Sequence, residues 1–252
     1  VFNFKQEIAL VKKFIMNIEF QEIQPMAILD CITVNLNLDK VRKKLHMKPD
    51  SNLNQVRSLV DTVQQLIEPK AIYNVSYIDE KSEDSVVVGG LPLKSRVLRK
   101  NLDRVERIFP YVVTLGSKLG EKQNACSDLL ENYYLDCIGN LALTSARKQL
   151  KKHLQSKFAL EKLSFMAPGS LSDWPIEEQG PLFRLLGDVE ASIGVRLTRN
   201  LLMLPAKSIS GFYFPTEVSF YSCQLCPRKK CDSRKAKYDE ALAGEYGVQN
   251  KK

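Results

Sequence analysis

The stretch that decides the fold spans residues 167–214 and reads APGSLSDWPIEEQGPLFRLLGDVEASIGVRLTRNLLMLPAKSISGFYF. It opens on the turn pair Pro168-Gly169, where a glycine lets the backbone approach a neighbour closely. Pro175 and the two glutamates that follow shortly after it predict the start of a helix. The stretch closes with two short apolar and aromatic runs, Leu201–Leu204 and Ile209–Phe214, which are typical of strands.

Upstream of this stretch, one long helical pattern covers residues 127–158. Its acids lie towards the start and its lysines towards the end, as the helix dipole favours. Strands and helices alternate irregularly along the chain, without the regular β-α-β order or the glycine-rich phosphate loop of nucleotide-binding folds. We therefore predict an α+β fold: a twisted, mainly antiparallel sheet with flanking helices and one long central helix.

The first half of the chain is predicted to carry further elements of both kinds. Apolar residues at helical spacing predict helices over residues 4–18, 53–67 and 97–105. Runs of β-branched and aromatic residues predict strands over residues 28–38, 71–78, 86–93 and 107–115.

The length of 252 residues and an apolar content of 44% allow one compact domain or two small ones. We expect three segments: an N-terminal extension with a helix and a strand at residues 1–37, a core at residues 38–222, and a basic tail with cysteines at residues 223–252. The end of that tail, from Gly244 on, is predicted to be disordered.

The net charge of +8 is concentrated in the tail and around Lys148, Lys151 and Lys152. A basic excess can serve nucleic acid, a membrane surface or an acidic protein partner. The tail lacks the interleaving of aromatic with basic residues and the paired Cys and His signature of nucleic-acid-binding modules, which disfavours nucleic acid. The sequence has no apolar run of transmembrane length and no signal-like start, so we expect a cytoplasmic protein without a membrane partner.

Three of the six cysteines form a cluster, Cys223-x-x-Cys226-x4-Cys231, in a basic context that favours thiolates. Thiolates at two-residue spacing in a turn can face one metal ion or cluster, which predicts a metal site. Because three ligands are one short of four, three interpretations stay open: a [4Fe–4S] cluster with an open site, a zinc ion, or three free thiols. The other cysteines are expected to be buried small apolar residues.

The order of motifs in the opening stretch resembles one known family. The motifs are Ala167-Pro168-Gly169, Pro175-x-x-Glu178, Leu185-Leu186, Gly194-x-x-Leu197-Thr198, Met203-x-Pro205 and Ser208-Ile-Ser210-Gly211-Phe-Tyr213-Phe214. They follow one another at the spacing seen in the activation domain of cobalamin-dependent methionine synthase. A weaker resemblance, to stand-alone relatives of that domain, extends over residues 38–221 and stops before the cysteine cluster. The resemblance implies an activation-domain-like core.

The resemblance also implies an accessory protein for the reductive activation of a corrinoid methyltransferase. In the family, S-adenosylmethionine binds over the corrin, one electron reduces the cobalt, and the methyl group passes to the reduced metal. The expected partners are a corrinoid protein or cobalamin-dependent methyltransferase, which carries the cobalamin, and a low-potential electron donor. No residue is singled out as catalytic, and the residues expected to bind the ligand are Ala167, Pro168, Gly169, Ser210, Gly211, Tyr213 and Tyr221.

The chain departs from the family at the position that binds the carboxylate of the ligand. The family has an arginine three residues before the proline of the Pro-Gly pair, and this chain has Phe165 there. The expected substitutes for the missing charge are Arg184, Arg196, Arg199 and Lys207. The alternative function is a non-catalytic module that binds a corrinoid protein, carries an iron–sulfur or zinc site, and has lost the methyl donor.

Overall fold

The computed structural model describes residues 26–47, 53–231 and 234–248, and the helix predicted over residues 4–18 lies outside them. The strands are β1 (Ala27–Leu29), β2 (Lys70–Tyr73), β3 (Ser76–Lys81), β4 (Ser85–Val88), β5 (Leu91–Lys94), β6 (Arg107–Thr114), β7 (Leu163–Met166), β8 (Arg196–Leu197), β9 (Met203–Leu204) and β10 (Ser208–Pro215). The α-helices are α1 (Leu38–Lys44), α2 (Leu53–Leu66), α3 (Arg96–Asn101), α4 (Lys118–Ala125), α5 (Leu129–Lys157), α6 (Gln179–Leu185), α7 (Val189–Ile193) and α8 (Glu240–Glu245). Short 3₁₀ helices lie at Ile176–Glu178 and Ser222–Gln224.

Strand β6 lies at the centre of the main sheet, and every residue in it after Arg107 is buried. On one side, the beginning of β6 pairs with β3 and its end pairs with β2, whereas the other side pairs with β10. The far side of β10 pairs with β7, where Phe212 lies opposite Met166. All of these pairs are antiparallel, so the predicted α+β class with a mainly antiparallel sheet is confirmed.

The predicted long helix is confirmed as α5, and it covers one face of the sheet. Its buried residues on this face include Ala142, Ala146 and Leu150. They pack in one cluster with aromatic side chains from β2, β6 and β10, which are Tyr73, Phe109, Tyr111 and Tyr213. Small side chains on the helix leave room for large rings on the strands, which is how two layers reach a dense core. Although α5 has 29 residues, neither it nor any other described helix is apolar enough to cross a membrane.

The opposite face of the sheet packs against α3, α6 and α7. Successive residues of β10 point to opposite faces, so that Phe212 and Phe214 enter this second cluster whereas Tyr213 enters the first. Trp174, which lies in the loop before α6, is fully buried here, and its ring lies 5.3 Å from that of Phe212. The two faces of β10 are therefore both covered, and the strand is buried along most of its length.

Three predicted strands have other boundaries in the structure. The run over residues 71–78 is two strands, β2 and β3, which pair with successive parts of β6. The run over residues 86–93 is the hairpin of β4 and β5, because Gly89 and Gly90 both adopt positive φ and form its two-residue turn. Of the strand predicted over residues 28–38, only β1 is regular, and it pairs with β2.

The tail folds back on the second face of the sheet, which corrects the prediction of disorder for residues 244–248. Leu225 and Ala243 are buried in the cluster beneath α3 and α6, and Val248 packs against it. The backbone amide of Asp239 donates to the carbonyl of Gln224 at 2.9 Å, which ties the start of α8 to the cysteine turn. The tail therefore shares the core of the segment that precedes it.

Gly211 in β10 is predicted to be required for the sheet. A Cβ atom at this position would lie 2.5 Å from the carbonyl oxygen of Met166 and 3.1 Å from the hydroxyl of Tyr111. Because the nearer atom is backbone, Gly211→Ala must shift β7 or β10, and we expect it to destabilise the protein by about 2 kcal/mol or more. Urea denaturation followed by circular dichroism measures this change.

Gly120→Ala is the matched control, because Gly120 lies inside α4 and a Cβ there would meet nothing within 4 Å. We expect the control to raise the free energy of unfolding by up to about 1 kcal/mol, as alanine does within helices. Equal stability of the two variants would contradict the close approach of β7 and β10.

Candidate functional site

The Pro-Gly turn lies at the end of β7 and is held by its own backbone. Gly169 adopts a φ of +75°, and its amide donates to the carbonyl of Trp174 at 2.8 Å. The amide of Ser170 donates to the carbonyl of Ala167 at 3.1 Å. Pro168 is buried whereas Gly169 and Ser170 are exposed, so the turn presents its backbone to solvent. A fixed, exposed backbone edge of this kind can approach a ligand closely.

The residues after β10 bring a second predicted position to the same edge of the sheet. The hydroxyl oxygens of Ser170 and Ser222 lie 3.5 Å apart, so the tail passes beside the turn. Tyr221, immediately before Ser222, is 38% exposed, and its amide is held by the side-chain oxygen of Gln224 at 2.9 Å. The structure thus places Tyr221 close to the Pro-Gly turn, and ligand contacts of both stay a prediction.

The other predicted ligand positions lie behind this surface. The buried Ser210 donates its hydroxyl to Gln179 at 3.1 Å. The hydroxyl of the buried Tyr213 donates to the carbonyl of Arg147 at 3.2 Å, and its ring stacks on Tyr111 at 4.5 Å. Gly211 is enclosed between β6 and β7. These three residues are held within the sheet and its core, behind the exposed turn. Their contact with a ligand stays a prediction.

Two cations from different elements lie over the ring of Phe165. The guanidinium carbon of Arg147, from α5, lies 4.0 Å from the ring centroid. The amine of Lys235, from the tail, lies 4.9 Å from the same centroid. Arg147 is 7% exposed, so its charge is largely removed from water. The sequence position that lacks the family arginine is therefore surrounded by positive charge from elsewhere in the chain.

None of the four expected substitutes occupies that place. Arg184 and Arg199 are exposed, and Arg196 pairs with Glu190 at 3.7 Å. Lys207 is buried, but its amine is bound by Asp136 at 2.6 Å and by Asn140 at 2.9 Å. The expectation fails because it considered only cations near in sequence. One signal was present: Arg147 falls on the inward side of α5, between Ala146 and Leu150, where an apolar residue is the rule.

The surroundings of Lys235 lower the pKa of its amine to about 8. Loss of hydration is the main cause, the positive charge of Arg147 is the next, and the nearby Cys223 thiol opposes both. Burial and Arg147 also lower the pKa of Lys151, one turn further along α5. The cations around Phe165 are thus close enough to disfavour one another's charge.

The predicted metal site receives no support from the residues that the structure describes. Cys223 and Cys226 are half-buried and Cys231 is exposed, and no group of three or more His, Cys, Asp or Glu side chains could hold a metal ion within 26–47, 53–231 and 234–248. Of the other cysteines, Cys137 is buried as expected, but Cys31 is exposed. The metal ligands therefore stay a prediction.

The side chain of Arg234 holds the backbone of the cysteine turn. The guanidinium of Arg234 donates to the carbonyls of Cys223 at 3.1 Å and of Cys226 and Ala236 at 3.3 Å. It also donates to the carbonyl of Arg228. One guanidinium carries five N–H donors in a fixed fork, which suits a turn whose carbonyls converge.

A family model matches this region of the chain. The family model of the vitamin B12 dependent methionine synthase activation domain matches residues 166–237. The chain is a relative of this activation domain. The match begins at the end of β7, covers the Pro-Gly turn and β10, and includes the cysteine turn, so that the likeness extends beyond the limit predicted at residue 221.

One solved structure supports the fold of the whole activation-domain relative. The crystal structure of the MetH reactivation domain bound to AdoHcy matches with a TM-score of 0.55 and 13% identity, over 79% of this chain and 81% of that one. At this identity the likeness concerns the fold, which extends well upstream of residue 166. No protein matches in the comparison with curated proteins.

Replacing Arg234 tests whether it or a metal holds the cysteine turn. Arg234→Gln removes hydrogen bonds to carbonyls in a half-buried turn, and we expect a loss of about 1–3 kcal/mol in the free energy of unfolding. Thermal melts of the wild type, with and without a strong chelator, should coincide. Lys237→Gln is the control, since Lys237 is exposed in the same segment and should have little effect. A chelator that lowers the melting temperature would instead support bound metal.

Proposed function

We propose that this chain binds S-adenosylmethionine at the exposed edge formed by the Pro-Gly turn and Tyr221, and supports reductive reactivation of cobalamin on a partner protein. The observation that carries the proposal is the meeting of these two predicted positions, beside a concentration of positive charge, within the region matched by the activation-domain model. The AdoHcy named with the structurally similar MetH domain is the product that remains after this donor gives up its methyl group.

The chemistry of the donor fits the residues at this edge. S-Adenosylmethionine carries a sulfonium cation, which favours aromatic faces such as the exposed ring of Tyr221. Its adenine favours a backbone edge, which the turn from Ala167 to Ser170 offers. Its carboxylate requires a cation or several N–H donors, and Arg147 and Lys235 lie beside the same strand end.

The role of the chain in this proposal is to position the donor. When bound, the donor supplies a methyl group to the reduced cobalt of the partner: one electron from a separate donor reduces the metal, the carbon–sulfur bond breaks, and AdoHcy remains. Holding the methyl carbon in line with the metal converts an encounter of two molecules into one oriented step. The rigid Pro-Gly turn, tied to Trp174 in the core, is suited to such a positioning role.

The proposed partner is a protein that carries cobalamin. The activation-domain family implies it, because the donor must meet a metal that this chain is not expected to hold itself. The edge around the Pro-Gly turn is open enough for a second protein to approach, since Gly169, Ser170 and Tyr221 are all exposed. A corrinoid presented by that partner would lie over this edge.

Calorimetric titration with S-adenosylmethionine tests the binding step. We expect saturable binding to the wild type and a roughly 3- to 30-fold weaker affinity in Tyr221→Ala, because an aromatic face contributes about 0.5–2 kcal/mol to binding a cation. Tyr77→Ala is the matched control: Tyr77 is 55% exposed on β3, away from the turn, and its removal should leave the affinity unchanged.

A wild-type protein that shows no binding at millimolar donor would contradict the proposal. A protein that binds the donor, but yields no AdoHcy with a cobalamin-loaded partner and a one-electron reductant, would contradict the role in reactivation.

A further inference from the structure

Two cations, Arg147 and Lys235, lie over the ring of Phe165. Phe165 lies in the edge strand β7 and faces α5, whose Arg147 places its guanidinium 4.0 Å from the ring centroid. Lys235 reaches the same ring from the tail. An aromatic face attracts a cation without neutralising it, unlike a carboxylate. The ring therefore holds the two charges at one place and leaves them available to an anion.

No protein carboxylate offsets this charge. The helix α5 carries no Asp or Glu after Asp136, and its second half presents Lys148 and Lys151 close enough to Lys235 to lower the pKa of its amine. Within the described part of the chain, none of Arg147, Lys148, Lys151 and Lys235 forms an ion pair. A buried cation without an ion pair is costly, so Arg147, which is buried, and the exposed Lys235 beside it point to an anion from outside the chain.

The electrostatics of neighbouring groups agree with that interpretation. Burial and the positive charges of Arg147, Lys148 and Lys151 lower the pKa of Lys235, and the nearby Cys223 opposes this. Burial raises the pKa of the Tyr111 hydroxyl, and the positive charge of Arg147 and hydrogen bonding to Arg147 and Tyr213 oppose the rise, which places the guanidinium close to this buried hydroxyl.

We propose that Arg147 and Lys235, gathered over the ring of Phe165, form a binding site for an oxyanion, either a carboxylate or a phosphate group. The guanidinium fork binds two oxygens of such a group, and the lysine amine adds a point charge. The positive charge that the family carries at residue 165 itself is here supplied from α5 and from the tail.

The position of the site relates it to the Pro-Gly turn. Phe165 lies three residues before Pro168, and the backbone amide of Lys235 lies 3.4 Å from the Cys223 sulfur, beside the same stretch of tail as Tyr221 and Ser222. The carboxylate of S-adenosylmethionine is therefore one source of the oxyanion, and this source rests on the proposed function. A phosphate group on a separate molecule is the other source.

Two titrations at pH 7.5 distinguish these sources, one with inorganic phosphate and one with S-adenosylmethionine. Each is repeated with Arg147→Gln and Lys235→Gln, and a comparison with 5′-methylthioadenosine, which lacks the carboxylate, isolates the contribution of that group. We expect each variant to weaken binding of the recognised anion roughly tenfold or more, as is usual for a charged hydrogen bond. Lys152→Gln is the control, because Lys152 is exposed on the same helix.

The outcomes separate this site from the proposed function. Loss of affinity only for S-adenosylmethionine supports the carboxylate source, and loss only for phosphate supports the phosphate source even if the methyl donor does not bind. Unchanged affinities for both anions in Lys235→Gln would overturn the site while leaving donor binding by the wild type intact. Since Lys235 is exposed and Arg147 is buried, the lysine variant keeps the test decisive if the arginine variant fails to fold.

The pH dependence provides an independent measurement. The protonated amine binds an anion, so affinity for inorganic sulfate, which does not titrate in this range, should be full below pH 8 and fall as the pH rises above it. Lys235→Gln should remove this fall. The other groups that face the amine are Arg147, Lys148, Lys151 and Cys223, and the profile is measured in Cys223→Ser as well. A fall that persists without Lys235 would count against the site.

Discussion

The pairing of β10 with β6 on one side and β7 on the other is the constraint on which the rest of the structure depends. The strands approach so closely at Gly211 that a single Cβ would meet the carbonyl of Met166. This pairing buries β10 between two hydrophobic clusters and fixes β7 as the edge of the sheet. The end of β7 in turn sets the place of the Pro-Gly turn, and its register turns Phe165 towards α5. A residue with no side chain thus determines where a binding edge can form.

The sequence predicted elements whose pattern is strong over many residues. The long helix α5 and the strands β6 and β10 have continuous apolar or aromatic signals, and all three were predicted close to their observed limits. Strand β7 was missed because four residues show no period, and it is a strand only because β10 offers a partner. The tail was mispredicted because its charged composition hides a few apolar residues, such as Leu225 and Ala243, that pack on the core.

The site shows a different limit of prediction. The motif around Ser210 and Tyr213 identified the family correctly, yet both side chains are buried beneath the turn. Matching a motif does not separate residues that contact a ligand from residues that support the backbone of the site, because both are constrained by the same geometry. Arg147 could not be assigned from any local motif, since it comes close to Phe165 only through the packing of α5 on the sheet.

Among the described residues, Lys207 and Arg147 are buried cations, and their surroundings differ. The charge of Lys207 is paired in the usual way, because a carboxylate and an amide lie within hydrogen-bonding distance of its amine. Arg147 has instead an aromatic face and further positive charges, although it is equally buried. The fold pairs the buried Lys207 with a carboxylate, whereas no described carboxylate pairs with Arg147. The lack of an ion pair is therefore specific to the surroundings of Arg147.

The tail connects the positive charge around Phe165 with the Pro-Gly turn. Arg234 binds the carbonyls of the cysteine turn, and the next residue, Lys235, extends over Phe165. The segment predicted as a separate cysteine tail from residue 223 therefore contributes both a clamp and a charge to the edge that the core provides. Because Tyr221 lies just before that boundary and Lys235 after it, the segment boundary crosses the candidate site, so that the tail and the core both contribute residues to it.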